Sequence, residues 1–192
     1  MKSFRRTAED LLFNKDLPVK MSYKSGSFPC EAGCSPEERL HTAIGQGRTL
    51  ISPLHMSLIT SAIANDGVLR KPLLIKRIET YKGDVVKEYL PANHSRLMSA
   101  DEADFLEEYM EAVVKEGTGS KLSVDTYRAV GKTGSAEYSG EEKGDSHAWF
   151  TGFATSDANT DPLVVTVLVE GAGTGADYAV PMAKRIFDVY FR

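Results

Sequence analysis

Residues 52–67 constrain the fold more than any other stretch of this chain. Ser52 is a helix cap and Pro53 suits the first helical position, where a missing N–H does no harm. Asn65-Asp66-Gly67 is a stop signal. Between them Leu54, Leu58, Ile59, Ala62 and Ile63 fall on one face, and Met56 widens it. A helix that is apolar over most of its circumference is predicted to be buried.

The order around it is helices first and strands later. Residues 4–14 carry a weak helical pattern that ends before Asp16-Leu17-Pro18. Residues 18–36, rich in Ser, Gly, Pro and Lys, read as an exposed loop. A hairpin is predicted from 73–81 and 85–90 around Lys82-Gly83-Asp84. Ser99 and Glu102 form a capping box for a helix lined by Ala103, Leu106, Tyr109, Met110, Val113 and Val114, closed by Gly117. Strands follow near 127–138, 147–155 and 162–170, then a last amphipathic helix over 179–191 through Met182, Ile186, Phe187 and Tyr190. The fold class is α+β, an antiparallel sheet packed with helices, in one domain spanning 1–192.

Composition excludes several functions. A net charge of −4 with no basic run gives no electrostatic case for nucleic acid. Apolar runs such as Leu163 to Val169 are too short to span a bilayer, and residues 1–20 are too charged for a signal peptide. Action outside the cytoplasm would therefore need a segment upstream of Met1. Cys30 and Cys34 could form a short disulfide or remain two free thiols. A metal site is the weakest of the three readings, since only His41 lies near. No metal or cofactor is expected.

The chemistry concentrates in Gly131-Lys132-Thr133-Gly134-Ser135. A strand here offers a cation, two hydroxyls and a free backbone N–H, a set suited to a carboxylate and a developing oxyanion. A phosphate-binding loop is a poor rival, because Thr126 stands where its first glycine should be and no helix follows. The bland alternative is a solvated lysine beside a glycine turn. On an alternating strand, His147 and Trp149 read as core or cleft wall. His55 reads as a partly exposed polar residue, and Glu137 with Glu141-Glu142 as wet loop charge. Gly45-Gln46-Gly47 reads as a tight turn, and Gly171 to Gly175 as a flexible loop.

Five pieces in order carry a family resemblance. They are Ala43-Ile44-Gly45-Gln46-Gly47, Ser52 to Gly67, Val113 to Gly119, Gly131 to Ser135, and His147 to Ala154. Together they resemble the C-terminal part of the transpeptidase domain of class B penicillin-binding proteins. The resemblance implies an incomplete β-lactamase/transpeptidase-like fold and a peptidoglycan D,D-transpeptidase parent that binds D-Ala-D-Ala stem peptides and β-lactams outside the cytoplasmic membrane. It implies that Lys132 supplies positive charge and polarises a proton relay, and that Thr133 and Ser135 meet the substrate carboxylate. It further implies that Gly134 permits close approach and that the Ser135 N–H serves an oxyanion hole.

The chain departs from that family in two motifs. No serine is followed three residues later by a lysine, and no asparagine is preceded two residues earlier by Ser or Tyr. The lone chain is therefore expected to be catalytically inert. With helix 53–65 and one sheet edge uncovered, it is expected to dimerise or to pair with the segment carrying those motifs. The alternatives are a non-catalytic stem-peptide or β-lactam binding module, and a fragment of a serine β-lactamase or penicillin sensor.

Overall fold

The computed structural model describes residues 2–30, 33–137 and 146–192. In chain order its elements are α1 (Lys2–Asp10), α2 (Pro36–Ala43), α3 (Pro53–Ile63), β1 (Val68–Arg70), β2 (Arg77–Glu79), β3 (Val85–Glu88), β4 (Asn93–Arg96), α4 (Ala100–Glu116), β5 (Arg128–Glu137), β6 (Ser146–Ser156), β7 (Asn159–Val169) and α5 (Val180–Tyr190). A 3-10 turn at Ser120–Leu122 follows α4, and a π turn at Gly175–Ala179 leads into α5. The main sheet is antiparallel in the order β5-β6-β7, and two small ladders pair β1 with β4 and β2 with β3.

Helix α3 is built as its caps predict. The Ser52 hydroxyl accepts from the His55 N–H, and His55, Leu58, Ile59, Thr60, Ala62 and Ile63 are buried. It packs on one face of the sheet with α4, where Ile63, Met110, Val130 and Phe153 form a cluster. The opposite face receives α5, through Ala129, Phe150, Val180, Ala183 and Phe187. Of the stripe expected from the sequence only Phe187 faces inward. The inward stripe of α5 is Val180, Ala183 and Phe187, and Met182, Ile186 and Tyr190 stay about half exposed. The small residues Ala179 and Ala183 let the helix approach the strands closely, so the bulkier stripe is left outside.

Four further differences have local causes. Helix α1 ends at Asp10 and not near residue 14, because Leu12 and Asn14 take positive φ and Asn14 exchanges two hydrogen bonds with the backbone of Phe28. Segment 18–36 is irregular over most of its described length but not wholly exposed, since Phe28, Cys30 and Cys34 pack against Ala8, Phe13 and Ile59. The two cysteines form a disulfide with Cα atoms 5.7 Å apart, which resolves the open alternatives. Helix α2 went unanticipated although Ser35, Pro36 and Glu38 spell a capping box with proline at the first turn. On α4, Leu106 and Tyr109 face solvent and only Ala103, Met110 and Val114 are buried.

Candidate functional site

Strand β5 is an edge strand, and its register with β6 places Gly131 opposite Gly152, Lys132 opposite Thr151 and Ser135 opposite Ala148. Successive side chains alternate between the two faces. Val130 packs toward α3 and α4 and Ala129 toward α5, so Lys132 leaves on the α3 side while Thr133 and Ser135 leave on the α5 side. The glycine pair has a packing cause: a Cβ on Gly131 would strike the Phe150 ring, and one on Gly152 would strike the Val130 carbonyl. Removing both side chains lets Phe150 lie across the strand that carries Lys132.

The outer edge of β5 is the part of this site that can meet another molecule. In an antiparallel ladder a residue either exchanges both backbone hydrogen bonds with its partner or turns both groups away. The Thr133 carbonyl accepts from Lys132 Nζ at 2.6 Å, and the Ser135 carbonyl accepts from Gln46 Nε2 at 3.1 Å. Both carbonyls therefore face outward, and the N–H groups of Thr133 and Ser135 face outward with them. A cation and two outward N–H groups within four residues form an anion-receiving edge.

The hydroxyls of Thr133 and Ser135 are engaged beneath this edge. Thr133 is buried, with its Oγ1 2.6 Å from Thr118 Oγ1. Ser135 Oγ accepts a long bond, 3.4 Å, from the Gly175 N–H. Gly175 belongs to the stretch read as a flexible loop, yet it is buried, and a Cβ there would meet Gly134 O at 2.7 Å. The loop is a packed support under the strand. At Gly134 a Cβ would crowd that of Trp149 at 3.3 Å, a milder conflict than at Gly131. Trp149 is half-buried beside it, and His147 Nδ1 accepts from the Gly171 N–H. Glu137 is exposed, and Glu141-Glu142 lie outside the described residues.

The expectation that no serine or threonine precedes a lysine by three residues fails at Thr118-Gly119-Ser120-Lys121. The fold separates the two side chains. Thr118 turns to Thr133, while Lys121 Nζ donates to the Ala176 carbonyl and pairs with Asp177 at 3.7 Å. They do not form a nucleophile–base couple.

Behind the site α3 is tied to the sheet by three hydroxyls in series. Thr60 Oγ1 lies 2.6 Å from Thr151 Oγ1, which lies 2.8 Å from Thr166 Oγ1. His55 at the head of α3 is fully buried, not partly exposed, and its Nε2 lies 2.7 Å from the Leu11 carbonyl. With Nε2 donating, Nδ1 is a bare acceptor, and among the described residues it has no partner. Burial holds the ring's pKa below its ordinary value, opposed by the bond to Leu11. Gly26 is required there, because a Cβ would run into Nδ1. A lone histidine in sequence carries no mark of such a pocket.

A cleft of about 780 Å³ lies at the other end of β5, lined among others by Glu111, Tyr127, Arg128, Thr155 and Phe191. None of Lys132 to Ser135 borders it. No group of three His, Cys, Asp or Glu among the described residues is placed to hold a metal ion.

Comparison with known proteins gives this geometry its setting. Residues 1–188 match the family model described as the penicillin binding protein transpeptidase domain. This chain is a member of that family. It is 32% identical over 171 residues to the peptidoglycan D,D-transpeptidase MrdA of Haemophilus influenzae, covering 80% of this chain and 26% of that protein. It is 34% identical over 168 residues to the stage V sporulation protein D of Bacillus subtilis, covering 83% and 25%. The chain thus spans about a quarter of the length of these curated relatives. Among solved structures, the D,D-transpeptidase domain of a peptidoglycan glycosyltransferase from Eggerthella lenta superposes with a TM-score of 0.82 at 25% identity, over 97% of this chain and 47% of that one. The chain therefore carries part of the α+β fold of the penicillin-binding transpeptidases, and β5 lies within the matched region.

Proposed function

We propose that this chain is the C-terminal portion of a peptidoglycan D,D-transpeptidase domain and contributes its substrate-binding strand. The observation that carries the reading is the outer edge of β5, where Lys132 stands beside the outward N–H groups of Thr133 and Ser135. A D-Ala-D-Ala stem peptide or a β-lactam brings a carboxylate and a carbonyl to such an edge. Lys132 attracts the carboxylate and polarises the proton relay of the complete site. Gly134, having no side chain, permits close approach to the strand, and the Ser135 N–H stabilises the oxyanion. Thr133 and Ser135 meet the carboxylate through hydroxyls that rotate from their present partners.

The serine nucleophile and its lysine belong to residues outside this chain, so the chain alone carries no acyl transfer. Helix α3, expected to be left uncovered, is instead buried by the described residues, so the upstream segment seats on two other surfaces. One is the unpaired edge of the eleven-residue β7, and the other is the Met182, Ile186 and Tyr190 stripe of α5. The complete protein acts on the outer face of the bacterial membrane. No helix among the described residues is long and apolar enough to cross one.

A diacetylated tripeptide ending in D-Ala-D-Ala, titrated into the labelled chain, should shift the amide resonances of Lys132 to Ser135. The shifts should vanish in Lys132→Ala. A fluorescent penicillin should leave the mass of the chain unchanged. A stoichiometric mass gain would place a nucleophile within these residues and overturn the inert reading. Sedimentation should give a dimer for the chain alone and a monomeric complex once the upstream segment is added.

A further inference from the structure

The site contains a donor that the proposed reaction does not use. Gln46 sits between Gly45 and Gly47, both at positive φ, in the turn that closes α2. Its backbone is held firmly: the Gln46 N–H donates to the His41 carbonyl at 2.8 Å, and the Gly45 N–H to the Thr42 carbonyl at 3.1 Å. The turn is tied further by Arg48, whose Nη2 reaches Glu38 Oε1 at 2.6 Å. Only the side chain is left to move, and it crosses to the outer edge of β5 to donate from Nε2 to the Ser135 carbonyl.

That carbonyl is where an extended peptide joining the edge must place a main-chain N–H. One step along the strand the Thr133 carbonyl is filled in the same way by Lys132 Nζ. The free edge therefore carries side-chain donors at two successive outward acceptors. An uncapped edge is a template for indiscriminate strand pairing, and a side-chain cap suppresses it.

We propose that Gln46 is a specificity-determining cap on the substrate edge. It satisfies the Ser135 carbonyl in the free protein and yields only to a ligand that presents an N–H at that point. This rests on the reading of β5 as the peptide-binding edge. Binding exchanges one hydrogen bond for another at Ser135 and returns the Gln46 amide to water, so the net worth of the Gln46 bond is subtracted from affinity. Gln46→Ala leaves the carbonyl to water, which a peptide displaces more readily. An exposed neutral bond of this kind corresponds to about a two- to tenfold change in Kd.

The test uses the same diacetylated D-Ala-D-Ala tripeptide with the 192-residue chain, its Gln46→Ala and Gln46→Asn variants, and Lys132→Ala. Gln46→Ala and Gln46→Asn, the latter too short to reach, should both bind about two- to tenfold tighter than wild type. In wild type the Gln46 side-chain amide signals should move with the Ser135 N–H along one saturation curve. A purely structural turn residue would not produce that coupling. Unchanged or weaker binding in the two Gln46 variants, with wild type still binding and Lys132→Ala not, overturns the cap and leaves β5 as the binding edge. Failure of wild type and every variant to bind overturns the edge reading and the cap with it.

Discussion

Gly175→Ala is the substitution by which this arrangement is most sharply tested. Gly175 starts the π turn under the tip of β5, and its φ lies outside the left-handed region, so the penalty is one of space. A Cβ there would sit 2.7 Å from Gly134 O and 3.1 Å from Gly134 N, and nearer still to Trp149 O. All three neighbours are backbone atoms of two paired strands, so no rotamer change relieves the clash. Either the π turn or β5 must move by more than about half an ångström, which costs about 1–3 kcal/mol. Against this, alanine restricts the unfolded chain and recovers about 0.4–1 kcal/mol. The clash wins, with an expected net loss of about 1–2 kcal/mol, or about 3–6 °C in Tm for a chain of this size. Urea denaturation followed by circular dichroism measures the loss, and amide spectra should show shifts at Gly134 and Ser135. Gly33→Ala is the control, since a Cβ there meets nothing within 4 Å, and it should stay within about 0.5 kcal/mol of wild type. If Gly175→Ala is as stable as wild type and the Gly134 and Ser135 signals do not move, the packed support described here is wrong.

Other perturbations test separate parts of the fold. The folded pKa of His55 is depressed by burial, so its contribution is fully present above the unfolded value of about 6.5. That contribution is lost as pH falls from there through the lowered folded value. Urea midpoints measured between about pH 5 and 7.5 should therefore fall more steeply toward acid in wild type than in His55→Gln, and parallel curves would refute the buried neutral ring. Arg128, bonded to Glu107 and Glu111, holds the Glu111 carboxyl down to about 2, with Lys115 assisting. Its support is present above about pH 4.5 and lost as pH falls toward 2. Because the guanidinium is close to half exposed, Arg128→Ala should cost only about 1 kcal/mol at neutral pH, and that difference should shrink in acid. Thr151→Val removes the middle of three linked hydroxyls and should cost about 1–2 kcal/mol by thermal denaturation. Thr166→Val, at the end of the series, should cost less.

How far the fold could be read in advance depended on whether its signals were local. Ser52-Pro53 and Ser99 with Glu102 are complete within one helical turn, and both helices start where those residues indicate. The three long strands were legible because their alternation runs over ten or eleven residues. Strands β1 and β4 are three and four residues long and exist through each other, so neither carries a pattern of its own. Of the inward face of α5 only Phe187 was legible, because alanine at 179 and 183 says nothing of burial until a sheet lies against it. At the site, Gly131 to Ser135 announced a strand with a cation on it. That Gln46 reaches Ser135 across 89 positions, or that His55 meets Leu11 across 44, is a matter of tertiary closure that no window of sequence contains.

Helix α3 has members in three of the four apolar clusters: Ile59 with Phe13 and Phe28, Leu58 and Ala62 with Leu12 and Leu69, and Ile63 with Val130 and Phe153. Its eleven residues are thus answerable to several masters at once. A replacement that suits one neighbour disturbs another, and compensating changes must come from segments distant in the chain. Variation in α3 is therefore expected to be slow and correlated. The hairpin of β2 and β3, whose residues are all exposed, can drift almost freely. Divergence across this domain would then be uneven for a mechanical reason, with the helix as its slow clock and the hairpin as its fast one.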